Sequence, residues 1–118
     1  KVLLVKTHKW SDKWGIPGGK VERMEPLKSA IQREILEETG LEIEALEFIC
    51  VQESIDSKEF LRSEHFLLLN YLAEAKPGDV CLNDEAEEYQ WISPTEALKL
   101  DLNIPTRHLI ERVLNRLA

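Results

Sequence analysis

The order of apolar and polar residues along the chain predicts four strands. Val2 to Val5 is a short β-branched and aliphatic run, which is typical of a buried strand. Acidic and apolar residues alternate between 41 and 53, which predicts a half-buried strand or hairpin arm. A long, strongly apolar strand follows at 65–75, and YQWI at 89–92 is a short final one. The polar segments between these runs are predicted loops.

Helices are predicted from periodicity and from residues suited to helix ends. Residues 26–39 form one helix, because Pro26 can occupy the first helical position and Gly40 is a good residue just past the last turn. Ser93 opens the capping box SPTE, which starts a short helix. Residues 106–117 carry their apolar side chains on one stripe. We therefore predict an α/β fold with a mixed sheet and helices packed on its faces.

Composition and charge limit the class of protein. The 118 residues, 43% of them hydrophobic, predict one domain spanning 1–118. A formal charge of −7 argues against sequence-independent binding of nucleic acid or of an anionic membrane, and the apolar runs are too short to span a bilayer. Cys50 and Cys81 fit no metal-ligand spacing, so we interpret them as buried free thiols of a cytoplasmic protein. Because the chain opens on KVLLV without Met, we expect a trimmed or upstream N-terminus.

Three glutamates crowd the end of the predicted helix. Glu34, Glu37 and Glu38 are related by i, i+3 and i+4 and fall within an arc of about 100° that borders the apolar stripe. Acidic groups in a last turn oppose the helix dipole by roughly 0.3–1 kcal/mol each. Arg33 lies one turn before Glu37 and can neutralise only part of this charge. The pattern fits either a solvated acidic face or a site for a divalent cation such as Mg²⁺.

A longer motif surrounds these glutamates. Gly19, five residues, Glu25, seven residues and the run REILEETGL at 33–41 resemble the Nudix box at every defined position. The box reads G-x5-E-x7-R-E-U-x-E-E-x-G-U, where U is a bulky aliphatic residue. Chance matches to this many fixed positions are rare. WGIPGG before the box and YQWISPTEAL after it extend the resemblance to the whole chain.

Membership of the Nudix family would imply both a fold and a reaction. The family fold is an α/β/α sandwich around a mixed β-sheet. Its members hydrolyse a diphosphate bond in substrates built as a nucleoside diphosphate linked to another group, and they use Mg²⁺ or Mn²⁺. The resemblance implies that Gly19 offers its carbonyl to a metal, that Glu25 orients the metal-site carboxylates or waters, and that Arg33 pairs with a box glutamate. The implied metal-ligating carboxylates are Glu34, Glu37 and Glu38.

Family members often add a carboxylate from a later loop, as metal ligand or general base. The segment NDEAEEYQW offers several. We prefer Glu85, because a loop-tip position can swing over the metals, and place Glu88 second. A solvated acidic loop accounts for each of them equally well.

Five side chains are candidates for substrate binding, although packing or solvation is the ordinary role of each type. Trp14 lies nearest the glycine turn and could stack on a base. Lys20 and Arg23 precede the helix and could meet phosphates, and Arg62 and His65 flank the long strand and could line a cleft.

The box predicts the reaction type but not the leaving group. We expect a nucleoside triphosphate, giving monophosphate plus pyrophosphate. We expect no N-terminal extension of the kind seen in dimeric ADP-ribose and coenzyme A hydrolases of the family. The sequence also carries Ile55-Asp56-Ser57 in the stretch where many ADP-ribose hydrolases have a proline. Hydrolysis of ADP-ribose, a nucleotide sugar or a dinucleoside polyphosphate stays open, as does a non-catalytic nucleotide-sensing domain. A homodimer is compatible with the sequence.

Overall fold

The computed structural model describes residues 1–117 and confirms the α/β fold class. The predicted strands and helices occur within two residues of their predicted bounds. In chain order the elements are β1 (Val2–Thr7), a 3-10 turn (His8–Trp10), β2 (Lys13–Gly15), α1 (Leu27–Thr39), β3 (Ile43–Ile55), β4 (His65–Ala75), β5 (Glu88–Ile92), α2 (Pro94–Ala97) and α3 (Ile104–Leu117).

Helix α1 ends as its sequence predicts and begins one residue later. Pro26 has extended backbone angles and precedes the first helical residue, so it is the cap and not the first turn. Gly40 adopts a left-handed conformation with φ of 74° and donates its N–H to the carbonyl of Leu36 at 2.9 Å. A side chain would be strained at that φ, which explains the glycine.

The strands form two antiparallel groups. Strand β1 lies between β2 and β5, and its register with β5 runs from Val2 opposite Ile92 to Lys6 opposite Glu88. Strands β3 and β4 form a long hairpin. We expected a mixed sheet, and the parallel pairing in it is an isolated β-bridge between Trp14 of β2 and Leu102, which lies outside the strands. Strand β2 was not predicted, because three residues are too few to show an alternating pattern.

Helix α3 packs against both groups of strands. Its Ile110 joins Leu4 of β1 and Leu102 in one buried cluster. Its Leu109 and Val113 join Ile49 of β3 in a second cluster. The helix therefore fixes the hairpin relative to the three-stranded sheet.

The surface of the molecule corrects one expectation. Both cysteines are free, but Cys81 is exposed and Cys50 is half-buried, so the prediction of two buried thiols was wrong. Cys81 lies in the loop that follows β4, and its N–H donates to the carbonyl of Thr39 at 2.8 Å. Among residues 1–117, no helix has the length and apolar character needed to cross a membrane.

Candidate active site

The three glutamates at the end of α1 differ in their contact with water. Glu38 is buried, with 5% of its surface exposed. The side chain of Glu34 is 16% exposed and that of Glu37 is 56% exposed. Helical spacing thus turns the three carboxylates from the core edge towards solvent, as the sequence indicated.

Arg33 gathers the carboxylates around one guanidinium. Arg33 donates two hydrogen bonds to Glu25, from Nε to Oε2 at 2.8 Å and from Nη2 to Oε1 at 3.0 Å. Its Nη1 donates to Glu34 at 2.8 Å and to Glu37 at 3.3 Å, and Nη2 also donates to the carbonyl of Lys20 at 3.1 Å. Arg33 therefore pairs with both glutamates and with the loop before the helix. Glu25 is thus linked to Glu34 and Glu37 through Arg33.

The pairing shifts the titration of both partners. The Arg33 guanidinium holds the pKa of Glu25 at about 2, with help from the backbone N–H of Glu22. Hydrogen bonds to Glu25 and Glu34 raise the pKa of Arg33. Fork-to-fork pairs of this kind favour the charged forms and fix geometry as well.

Glu38 is buried without an ion-pair partner among residues 1–117. Its Oε2 accepts a hydrogen bond from the backbone N–H of Gly18 at 3.0 Å. Burial raises the pKa of Glu38 to about 7, and the negative charges of Glu85 and Glu34 add to that effect. The Gly18 N–H and the charge of Lys9 act in the opposite direction. A buried carboxylate in negative surroundings is costly unless a cation compensates it.

The first glycine of the box lies against Glu34. A Cβ built on Gly19 would overlap the Glu34 carboxylate, whereas one built on Gly18 would meet nothing within 4 Å. Glycine at 19 therefore leaves the space that the Glu34 carboxylate occupies.

The acidic loop contributes Glu85 to the same region. The N–H of Asn83 donates to the carbonyl of Glu38 at 3.2 Å, which anchors the loop on the end of α1. The Glu85 N–H donates to the Asn83 side chain at 3.0 Å, and the Glu85 carboxylate lies 3.3 Å from Nζ of Lys9. Glu88 instead pairs with Lys6 at 3.6 Å at the start of β5. Of the two loop candidates, Glu85 is the one whose charge acts on Glu38.

The structure spreads the candidate substrate-binding residues over several places. Trp14 is half-buried and packs against the cluster that contains Leu4. Lys20 and Arg23 are exposed in the loop before α1. Arg62 pairs with Glu64 at 2.7 Å in the loop between β3 and β4, and His65 pairs with Glu53 on the hairpin.

Two residues of the site were missed from sequence. Gly18 donates the hydrogen bond to Glu38, and Lys9 pairs with Glu85. The paired glycines before the box were a usable signal for Gly18, because glycine permits close approach of the backbone. The contact of Lys9 with Glu85 joins segments far apart in sequence, and local pattern gives no sign of it.

The donor set fits a hard divalent cation. Within 1–117, no three acidic, histidine or cysteine side chains stand together as a ready metal site, and Arg33 holds both Glu34 and Glu37. The region nevertheless combines five carboxylates with two cationic side chains, and Glu38 has no ion pair among the residues described. Carboxylate oxygens are the ligands that Mg²⁺ and Mn²⁺ prefer.

Comparison with known proteins decides the family. The NUDIX domain family model matches residues 1–113. The chain belongs to the Nudix family. The identification made from the box is confirmed, and the protein is a hydrolase that acts on pyrophosphate bonds. Nudix hydrolases generally use divalent metals.

Relatives of this Nudix hydrolase include a nucleoside triphosphatase. The chain is 31% identical over 103 residues to the nucleoside triphosphatase NudI of Salmonella paratyphi B, covering 82% of this chain and 73% of the relative. A crystal structure of a MutT NUDIX hydrolase from Burkholderia pseudomallei is 35% identical, with a TM-score of 0.79, over 94% of this chain and 86% of that one. The NUDIX domain of Shewanella oneidensis NrtR, complexed with ADP ribose, has a TM-score of 0.81 but 22% identity, over 100% of this chain and 78% of that one. That likeness concerns the fold alone.

Proposed function

We propose that this Nudix hydrolase cleaves a nucleoside triphosphate to the monophosphate and pyrophosphate, with Mg²⁺ as its cofactor and Mn²⁺ as a substitute. One observation carries the proposal: buried Glu38 lies beside the charges of Glu34 and Glu85 without an ion pair among residues 1–117. A divalent cation that arrives with phosphate oxygens resolves this imbalance. The triphosphate is supported by the name of the NudI relative, at 31% identity.

The proposed ligands of the cation come from two segments. Helix α1 and the glycine turn supply the carboxylates of Glu34, Glu37 and Glu38 and the carbonyl of Gly19. The acidic loop supplies Glu85, as a further ligand or as the base that accepts a proton from the attacking water at a carboxylate oxygen. When bound, the cation supplies positive charge to the phosphate oxygens and polarises the attacking water.

Arg33 and Glu25 are proposed as positioning residues. Glu25 fixes the guanidinium with two hydrogen bonds, and the Lys20 carbonyl adds a third. The guanidinium in turn fixes the directions of Glu34 and Glu37. Ligands held in this way need little reorganisation when the cation binds, which favours catalysis.

The exposed cations before α1 are proposed contacts of the phosphates. Lys20 and Arg23 make no ion pair with a carboxylate within residues 1–117, so both side chains are free to meet an anionic ligand. Arg62 and His65 are occupied by Glu64 and Glu53, and Trp14 packs in the core, so we assign them no contact with the substrate.

A product assay tests the proposal. The protein is incubated with Mg²⁺ and separately with each nucleoside triphosphate, ADP-ribose, a nucleotide sugar and a dinucleoside polyphosphate, and products are separated by chromatography. We expect monophosphate plus pyrophosphate from a triphosphate, no turnover with chelator, and no turnover by Glu38→Gln. Diphosphate plus orthophosphate, or turnover of ADP-ribose alone, would overturn the triphosphate assignment. Tight binding of a nucleotide with no turnover would overturn catalysis and favour a sensing domain.

A further inference from the structure

The hairpin of β3 and β4 has one buried face and one exposed face. Ile49, Leu72 and half-buried Cys50 pack towards α3. The opposite face exposes apolar side chains between 42% and 68%. We name it the outer hairpin face. Its exposed apolar members are Phe48, Val51, Ile55, Leu67 and Leu69, and half-buried Tyr71 lies on the same face.

Strand register makes these side chains one continuous surface. Val51 lies opposite Leu69, and Phe48 lies opposite Tyr71, with their ring centroids 5.6 Å apart. Partners across an antiparallel pair, and residues two apart on one strand, point to the same side. The seven steps from Phe48 to Ile55 span roughly 23 Å along the strand. The apolar residues therefore form a stripe along most of the hairpin.

The area of the stripe corresponds to the apolar core of a protein interface. At roughly 200 Å² for a large side chain, the exposed fractions of these side chains amount to on the order of 500 Å² of apolar surface. Such a patch is at the upper end of what a monomer leaves to water. A stable interface buries about 800 Å² per partner, of which roughly 60% is apolar. The face supplies that apolar share without help from another element.

The charges on the face favour a second copy as the occupant. The chain carries a net charge of −7, so two copies repel one another except where a surface is locally balanced. On the outer hairpin face, the carboxylate of Glu53 pairs with His65 across the strands. Because the Glu53 carboxylate is already paired, this face does not favour a strongly basic partner, whereas an apolar, locally balanced face is complementary to itself.

We propose that the outer hairpin face is the interface of a two-fold symmetric homodimer, in which the two hairpins pack face to face. Two-fold contacts bring the same patch of both subunits together. Sheets packed in this way lie about 10 Å apart with strands rotated by roughly 30°, and their inner side chains interdigitate. The interface is separate from the carboxylates of α1, so the proposal holds or fails independently of the reaction.

Sedimentation velocity over a protein concentration series tests the proposal. We expect the chain to sediment as a dimer at micromolar concentration and to dissociate on dilution. Leu67→Glu should raise the dissociation constant at least about a hundredfold, because two buried carboxylates without partners would enter the interface. Since Leu67 is 68% exposed in the single chain, the variant should keep its unfolding midpoint. Should it unfold instead, Leu67→Thr, a milder polar change, is the second variant and should weaken the dimer at least tenfold.

Met24→Glu is the matched control. Met24 is 91% exposed and lies in the loop before α1, so this variant should dimerise like the unmodified chain. A chain that stays monomeric at several hundred micromolar would overturn the proposal. A monomer that binds an apolar fluorescent dye, with binding lost in Leu67→Glu, would assign the face to a different partner and overturn the second copy. Equal weakening by Leu67→Glu and Met24→Glu would overturn the location of the interface.

Discussion

Lys9 and Glu85 lie 76 positions apart in the chain, yet Nζ of Lys9 is 3.3 Å from Oε1 of Glu85. The contact joins the 3-10 turn after β1 to the acidic loop before β5. Both charges act on Glu38, where Lys9 lowers the pKa and Glu85 raises it. Because both side chains are more than 40% exposed, the pair itself contributes no more than about 1 kcal/mol to stability. Its importance lies in placing one loop carboxylate beside the buried one.

Glu85→Gln should reduce kcat by about a hundredfold, because the variant loses the carboxylate proposed as ligand or base. The unfolding midpoint should change by little, since the ion pair with Lys9 is exposed. Steady-state kinetics at saturating Mg²⁺ measures the first effect, and thermal unfolding measures the second.

Glu88→Gln is the control for Glu85. Glu88 pairs with Lys6 at 3.6 Å at the start of β5, and its side chain is 60% exposed. We expect its kcat to stay within about a factor of two of the unmodified enzyme, as is usual for an exposed surface change. If Glu88→Gln lost as much activity as Glu85→Gln, the choice between the two carboxylates would be wrong.

Without metal, the free energy of unfolding should fall as pH rises through the range in which Glu38 titrates. The folded state raises the Glu38 pKa from 4.5 to about 7, so the folded chain holds a proton that the unfolded chain releases. The cost of ionising buried Glu38 is absent below about pH 4.5 and complete above about pH 7, where it reaches on the order of 3 kcal/mol. Urea unfolding with chelator at pH 5 and pH 8 measures it.

Glu38→Gln should remove most of that pH dependence. The amide stays neutral, so the metal-free variant should be more stable than the unmodified chain at pH 8 and similar to it at pH 5. Turnover should be lost, because the variant lacks a proposed ligand of the cation. Glu37→Gln is the control, since the Glu37 side chain is 56% exposed and should leave the pH dependence unchanged. If the unfolding free energies of the unmodified chain and of Glu38→Gln depended on pH in the same way, burial would not raise the pKa of Glu38.

The parts of the fold that sequence predicted correctly are those written in local patterns. The i, i+3 and i+4 spacing of the glutamates and the glycine at 40 lie within one helix, so α1 and the graded exposure of its carboxylates followed from sequence. Strand β2 was missed because its pairing, such as Val5 with Gly15, is decided by residues outside its own three.

The missed parts of the site depend on tertiary contacts. Nothing near Glu25 in the sequence indicates that Arg33 would hold it with two hydrogen bonds, and nothing near Lys9 indicates Glu85. Side-chain partners in loops are set by how distant segments meet, which periodicity does not encode. Residue types indicated a candidate site, and the structure was needed to show which of its side chains pair.

Glu25→Gln should make the protein less stable than the unmodified chain above about pH 4.5 and equal to it near pH 2. The folded state lowers the Glu25 pKa to about 2, so its stabilising pair with Arg33 is present above the unfolded value of 4.5 and is lost as pH falls towards 2. Unfolding midpoints between pH 2 and pH 6 measure the difference.

Glu22→Gln is the control for that acid-side effect. Glu22 lies 3.9 Å from Arg33 and is 70% exposed, while the backbone N–H that it donates to Glu25 is unaffected by the change. This variant should follow the unmodified chain across the pH range. A Glu25→Gln profile parallel to that of the unmodified chain would mean that the Arg33 pair does not stabilise the fold.

Gly19→Ala should weaken metal binding by roughly 10–100-fold without unfolding the protein. The new Cβ would overlap the carboxylate of Glu34, so that carboxylate must move. It can do so without unfolding the protein, because it is the far end of a flexible side chain. Movement releases Glu34 from its 2.8 Å hydrogen bond with Arg33 and displaces a proposed ligand. Calorimetric titration with Mn²⁺ in the absence of substrate measures affinity apart from turnover.

Gly18→Ala separates this effect from a general need for glycine in the turn. Its Cβ would meet nothing within 4 Å, and alanine keeps the backbone N–H that donates to Glu38 at 3.0 Å. Neither glycine has a positive φ, so both substitutions are compatible with the backbone. Metal affinity should therefore stay near that of the unmodified chain in Gly18→Ala. Equal losses in the two variants would show that the turn, and not the space beside Glu34, limits metal binding.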